Sequence, residues 1–236
     1  MKIAIKKMIE TSLIDWEGKI VSTLYLPRCN FRCPFCYNCN LILYPDHFKN
    51  IPLEEINKFL LERKEFIDGI CMSGGEPTLY ADLPSYFKEI KNKGFLIKLD
   101  TNGTNPKLLE DLLKLRLIDY IAMDIKSSLD FDCYSKAAGI KDKILLERVK
   151  DSITLIMNSE TDYEFRTTVV PVLHTEENIM EIAKYISGAK KYVLQNFSPL
   201  ERTLNPSFQK IKPYSVEKIQ EFVEKVKRYI PNCYSR

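Results

Sequence analysis

Six times along this chain an apolar run of strand length is followed by an amphipathic stretch of helix length, and that alternation limits the possible folds more than any other feature. The strand-like runs are Ile20 to Leu26, Gly69 to Met72, Phe95 to Leu99, Ile118 to Met123, Tyr163 to Val170 and Tyr192 to Phe197. The helix-like stretches that follow them are Pro52 to Lys64, Leu83 to Lys93, Lys107 to Leu115, Lys141 to Met157, Glu176 to Ile186 and Ser215 to Tyr229. Strands joined through helices run parallel with right-handed crossovers, so an α/β fold is expected. No break in composition marks a linker, and residues 1–236 are read as a single domain. A complete eight-unit barrel takes about 250 residues. Six units in 236 residues leave an open doubly wound sheet or an incomplete barrel. Both put chemistry at the C-terminal ends of the strands.

Composition closes several other routes. With 35 basic against 32 acidic side chains the net charge is only +3, and no block of like charges stands out, so neither a nucleic-acid nor a membrane-surface partner is expected. Lysines interrupt the apolar residues at the N-terminus before a signal-peptide core can form. Nowhere do about 18 apolar residues run together, so a cytoplasmic, reducing location is expected. Seven cysteines is an odd number, and four fall within eleven residues, which suits metal ligation better than a disulfide framework.

That segment reads Cys29-Asn30-Phe31-Arg32-Cys33-Pro34-Phe35-Cys36-Tyr37-Asn38-Cys39 and follows the first strand. Cys29, Cys33 and Cys36, as thiolates on one irregular loop, can converge on a polynuclear centre, and soft sulfur donors select zinc, copper(I) or iron–sulfur clusters. If three thiolates hold a four-iron cluster, one iron lacks a protein ligand and is open to chelation. Two other metal readings compete. Cys36 and Cys39 could form half of a structural zinc site, although Cys71, Cys133 and Cys233 are isolated. Cys39 could instead be a fourth ligand that closes the cluster into an electron carrier.

The later strand ends carry further polar groups. Ser73-Gly74-Gly75-Glu76-Pro77 follows the second strand; its glycines let the backbone approach a ligand, and Glu76 offers an acceptor to a cationic amine. Asp100-Thr101-Asn102-Gly103 ends the third strand and alone would be an Asx-type turn. Asp124-Ile125-Lys126 ends the fourth and presents a carboxylate and an ammonium at one rim. Arg166 lies within the fifth strand, where a guanidinium must reach solvent or meet an anion, such as Asp124 or a ligand. Gln195 and Asn196 break the last apolar run. His174 is read as a loop or helix-cap residue.

The triple cysteine, with Phe35 before its last member, followed after the second strand by the Gly-Gly-Glu-Pro run, resembles the radical S-adenosylmethionine enzymes. The segment Glu10 to Lys19 and the stretch Arg166 to Glu177 are similar to activating enzymes for glycyl radical proteins, the group that serves anaerobic ribonucleoside-triphosphate reductase and pyruvate formate-lyase. The resemblance implies an incomplete (β/α)6 TIM-like barrel and one [4Fe-4S] cluster on Cys29, Cys33 and Cys36. It also implies S-adenosylmethionine chelating the open iron through its amine and carboxylate, with the amine received at Gly74, Gly75 and Glu76. Asp100, Asn102, Asp124, Lys126 and Arg166 would lie by the carboxylate, where a monovalent cation can join them. Gln195 would lie by the ribose or adenine, and Phe35 and Tyr37 would complete the cofactor site. No protein acid or base is implied. The expected substrate is a glycine of a glycyl radical protein, with anaerobic ribonucleoside-triphosphate reductase the expected partner and flavodoxin or ferredoxin the electron donor. A deazapurine or nucleotide substrate is the alternative. Glu17, Arg28 and Tyr37 depart from the residues usual in that group, which are proline, glycine and histidine.

Overall fold

The computed structural model describes residues 2–200 and 202–236. Strands β1 (Lys7–Ser12) and β2 (Val21–Leu26) pair antiparallel. A short helix α1 (Cys39–Leu43) follows the cysteine loop, and α2 (Leu53–Glu62), β3 (Gly69–Gly74), α3 (Leu83–Asn92), β4 (Leu96–Thr101), α4 (Pro106–Lys114) and β5 (Tyr120–Asp124) continue the alternation. Two helices, α5 (Phe131–Ala138) and α6 (Lys143–Met157), precede β6 (Asp162–Val169). The chain then forms α7 (Glu176–Tyr185), β7 (Tyr192–Asn196), α8 (Val216–Val226) and β8 (Cys233–Ser235).

Among the described residues eight strands form one sheet in chain order, with every pair from β2 to β8 parallel. That order decides between the two architectures left open by the sequence. A doubly wound sheet reverses its strand order at a switch point, whereas winding in one direction generates a barrel wall. Here there is no reversal, and the result is the expected incomplete barrel.

The period of two along each strand separates two environments. Leu24, Leu26, Ile70, Met72, Ile97, Leu99, Ile121, Met123, Phe165 and Leu194 are fully buried in the core shared with the helices. Each such side chain contributes about 1.5–3 kcal/mol. The alternate residues face the barrel interior and include charges: Lys98, Glu164 and Arg166 are all buried. At the N-terminal end the loop after β1 closes the barrel. Trp16 packs on Tyr120 at 5.7 Å, Glu17 accepts from Lys191 Nζ at 3.0 Å, and Arg236 grips Glu164 through two bonds of 3.1 and 3.2 Å. These paired groups line a cavity of about 280 Å³.

The structure adds elements that periodicity does not reveal. β1 is largely exposed or half-buried and carries no clean alternation, and β8 spans only three residues. The helix expected from Lys141 starts at Lys143, because the preceding segment forms a separate helix, α5. Gly139, at φ +65°, ends α5 in the left-handed region that glycine adopts without strain. Among the described residues no helix is long and apolar enough to cross a membrane.

Candidate active site

The C-terminal ends of the strands surround a cavity of about 560 Å³. Cys29, Cys33 and Cys36 line it together with Phe35, Tyr37, Gly74, Gly75, Glu76, Asp100, Asn102, Asp124, Lys126, Arg166 and Gln195, so the residues assigned to the cofactor site from sequence line one cavity. Asp15, Tyr25, Asn38, Ser73, Thr101 and Thr168 line it too. Sequence patterns gave no sign of Asp15, which belongs to the loop at the opposite end of the barrel.

The cysteine loop leaves β2 through Arg28, at φ +66°. An arginine stands in a conformation that suits glycine, at a cost on the order of 1 kcal/mol, which accounts physically for glycine being usual there in the family it resembles. The loop is pinned from several directions. Arg32 N donates to Ala138 O at 2.8 Å, Arg32 Nη1 to Cys29 O at 2.6 Å, and Asn205 N to Pro34 O at 2.8 Å. Cys29 Sγ accepts from Phe31 N at 3.3 Å and Asn102 Nδ2 at 3.7 Å. Burial pushes the Cys29 and Cys33 thiols up to about 12 and raises Cys36 as well, with Lys126 pulling Cys33 and Cys36 the other way. Such thiols ionise when a metal centre supplies positive charge.

The donor set therefore fits a cluster with one open iron: three soft ligands on one wall, with free volume in front of them. Among the described residues no three Cys, His, Asp or Glu side chains are disposed to hold a single ion. Cys39 is buried in α1 with its thiol toward Arg202 O at 3.7 Å and does not line the cavity that Cys29, Cys33 and Cys36 line.

Gly74 and Gly75 are required first by the protein's own packing. A Cβ on either would overlap the backbone of Leu26 or Arg28, and Gly74 has φ +114°. Gly75 N and Glu76 N donate to Leu26 O and Arg28 O, both at 2.8 Å, carrying the β2–β3 pairing into the start of the cysteine loop. Glu76 is engaged within the protein as well. Its carboxylate already accepts from Thr78 N at 3.0 Å, Thr78 Oγ1 at 2.6 Å, Thr101 Oγ1 at 2.7 Å and Asn102 N at 2.7 Å. It fastens the end of β3 to the end of β4. Burial raises its pKa while these bonds oppose the rise. A ligand amine is left with the second lone pair of Oε2 and the neighbouring backbone carbonyls.

From the opposite end of the barrel up to this cavity runs an alternating line of charges. Lys98 Nζ is 3.5 Å from Asp100 Oδ1, Asp100 Oδ2 is 3.3 Å from Arg166 Nη1, Arg166 Nε donates to Asp124 Oδ1 at 2.8 Å, and Asp124 Oδ2 accepts from Lys126 Nζ at 2.9 Å. Burial works against ionisation of Asp124, but Arg166 and Lys126 outweigh it and hold its pKa down at about 2. Burial likewise opposes ionisation of Asp100, and Arg166 and Lys98 overcome it. The ion pair between Arg166 and Asp124 is thus present, and Asp100 extends it. Lys98 lines the cavity at the opposite end, so this cavity presents Lys126 and Arg166 already paired with Asp124 and Asp100, and a carboxylate-bearing ligand would compete with those acids for the two cations.

The turn at Asn102 is the Asx-type turn its sequence allowed, and it also braces the cysteine loop. Asn102 Oδ1 accepts from Thr104 N at 3.1 Å, as in an Asx turn, while its amide group donates to Asn30 Oδ1 at 2.9 Å and reaches Cys29. Tyr37 stacks on Phe197 at 6.1 Å, and its hydroxyl accepts from Ser198 N at 2.7 Å. Asn196 Nδ2 donates to Tyr214 O at 2.9 Å, and both Gln195 and Asn196 line the cavity. His174, expected in a loop or cap, is completely buried behind the rim.

Comparison with known proteins agrees with this geometry. The model of the radical SAM superfamily matches residues 23–189. A protein of Methanocaldococcus jannaschii, provisionally named a glycyl-radical enzyme activating enzyme, is 35% identical over 245 residues, covering 100% of this chain and 97% of its own. A second protein of that organism with the same provisional name is 31% identical, over 75% of this chain and 66% of its own. The GTP 3′,8-cyclase of Campylobacter jejuni is 30% identical, over 73% and 55%. Among solved structures, Streptococcus suis SuiB bound to S-adenosylmethionine superposes with a TM-score of 0.68 at 19% identity, covering 91% of this chain and 51% of SuiB. A radical SAM methyltransferase from Sphaerobacter thermophilus gives 0.65 at 16%, covering 92% and 66%. The chain thus spans about half the length of SuiB. With the family model matching most of its length and relatives of one named group aligned with it, the chain belongs to the radical SAM superfamily and, within it, to the glycyl-radical enzyme activating group.

Proposed function

We propose that this protein, acting as a single domain over residues 1–236, generates a glycyl radical on a partner protein, with anaerobic ribonucleoside-triphosphate reductase the partner and flavodoxin or ferredoxin the electron donor. The observation that carries the reading is the joining, in one cavity, of three cysteines with the paired charges Asp100, Asp124, Lys126 and Arg166. When bound, a [4Fe-4S] cluster and S-adenosylmethionine supply a 5′-deoxyadenosyl radical, which takes a hydrogen atom from the substrate.

The chain's own residues bind, orient and enclose. Cys29, Cys33 and Cys36 would hold the cluster, leaving one iron for the amine and carboxylate of S-adenosylmethionine. Lys126 and Arg166 would meet that carboxylate, giving up part of their pairing with Asp124 and Asp100. A monovalent cation would meet Asp100 there, whose Oδ1 makes no hydrogen bond and lies 3.5 Å from Lys98 Nζ. The backbone at Gly74 to Glu76 would take the amine, Asn102 would brace Cys29, and Gln195 would contact the ribose or adenine. With the cofactor bound, Phe35 and the Tyr37–Phe197 stack would cover the cysteine side.

A cavity of about 560 Å³ is in the range of a single small-molecule site, so a bound cofactor would occupy it and the substrate would approach from outside, as a protein loop can. The names of the relatives at 35% and 31% identity support the same choice. The relatives named GTP 3′,8-cyclase and 7-carboxy-7-deazaguanine synthase favour the second reading, a purine-class small molecule. The test is anaerobic incubation of reconstituted protein with S-adenosylmethionine, a reductant and the candidate reductase. A glycyl radical signal in electron paramagnetic resonance is expected. Cofactor cleavage that proceeds with no such signal on any glycyl radical partner, but is stimulated by a purine, would support the second reading.

A further inference from the structure

The rim of the cavity is held from behind by a group that the cofactor reading does not use. His174 is 0% exposed. Its Nδ1 accepts from Val170 N at 2.9 Å, and its Nε2 lies 2.7 Å from Lys126 O. An accepting Nδ1 leaves the proton on Nε2, so the ring is the neutral tautomer that donates to the Lys126 carbonyl. Burial pushes its pKa down, in keeping with a neutral ring. The same ring stands edge-on to Phe35, between two of the cysteines, at 6.5 Å. Its backbone carbonyl accepts from Tyr214 Oη at 2.9 Å.

We infer that His174 is a positioning residue for cofactor binding: its Nε2–H fixes the backbone of Lys126, and so the place of the ammonium that faces the cavity beside Asp124. Lys126 follows the end of β5, and within its own segment only Asp124 restrains its side chain. The bond from His174 supplies an anchor 48 residues away in sequence and ties the rim to the cysteine loop through Phe35. A rim residue released from such an anchor keeps its charge and loses its aim, so affinity falls more than stability.

The inference rests on the cofactor reading, and a pair of variants separates the two. His174→Gln places its amide nitrogen where Nε2 stands and keeps the donor to Lys126 O. His174→Asn places its amide oxygen where Nδ1 stands and keeps the acceptor for Val170 N while losing that donor. Both lose the ring beside Phe35, so the contrast isolates the bond to Lys126. Iron content, thermal melting and equilibrium binding of S-adenosylmethionine would be measured on each reconstituted protein. With iron content and melting alike in the two variants, the Asn variant should bind S-adenosylmethionine roughly tenfold more weakly than the Gln variant. Equal affinities would overturn the role of His174, as would a loss of affinity that merely follows the melting temperature. Absence of binding by the unsubstituted, iron-loaded protein would instead overturn the cofactor reading itself.

Discussion

Cys36→Ala is expected to retain the fold and lose the iron. Cys36 is half-buried at the cavity wall, its N–H donates to Cys33 O at 3.1 Å, and its neighbours hold the loop through Arg32, Ala138 and Asn205, none of which needs the Cys36 thiol. Folding should therefore survive. Loss of one of three soft donors leaves two thiolates, too few to retain a four-iron cluster. Changes to groups that merely support a metal ligand cost about 10–100-fold, and loss of a ligand itself should lower reductive cleavage of S-adenosylmethionine by more than that. Cys39→Ala is the matched control. Its thiol lies away from the cavity against Arg202 O, so iron content should remain complete. Iron and acid-labile sulfide analysis, with 5′-deoxyadenosine quantified by chromatography, checks both. Full iron content in the Cys36 variant together with loss in the Cys39 variant would reassign the ligand set.

Asp124→Ala should be the most damaging substitution on the charged rim. It removes the carboxylate that joins Arg166 at 2.8 Å to Lys126 at 2.9 Å, leaving two buried cations with Asp100 as the remaining nearby anion. Breaking a buried ion pair from one side costs about 3–5 kcal/mol, because the surviving charge stays desolvated. Urea unfolding should show that loss. Glu110→Ala, which breaks an exposed helical pair with Lys114, should show none that can be measured. A pH dependence follows as well. Arg166 and Lys126 hold the Asp124 carboxyl at about 2 in the folded chain, below the ordinary value of about 3.9 that an unfolded chain restores. The unfolded state then takes up this proton first, so the stabilisation is complete above about pH 5 and disappears as the pH falls through about 2. Asp124→Asn removes this contribution, and its stability should decline less steeply between pH 4 and pH 2 than that of the unsubstituted protein. Identical acid limbs would show that the rim carboxylate is not held ionised by its neighbours.

Much of this arrangement is legible in the sequence because parallel strands covered by helices need long apolar runs, and those runs mark their own C-terminal ends. The cysteine triplet, Gly74–Gly75 and Asp124-Ile125-Lys126 each follow such a run, so their meeting in one cavity comes from topology. The remainder depends on partners far apart in the chain. Glu76 reads as a free acceptor until Thr101 and Asn102, on another strand, are seen to occupy it. His174 follows a buried strand and precedes a capping threonine, as a surface residue would, and only the path of the β5 end over it buries the ring. Asp15 enters the cavity from a loop at the opposite end, beyond the reach of any local pattern. β1 and β8 escape notice because a half-exposed edge strand and a three-residue strand lack the apolar run that identifies the others.

The central claim is that this protein takes hydrogen from the α-carbon of a glycine in another protein. The direct measurement uses a partner reductase prepared with α-deuterated glycine, reconstituted activating protein, a reductant and unlabelled S-adenosylmethionine, with the 5′-deoxyadenosine product analysed by mass spectrometry. Deuterium in that product, in proportion to the glycyl radical formed, is the predicted result. Product free of deuterium, formed at an undiminished rate beside the deuterated partner, would contradict the account.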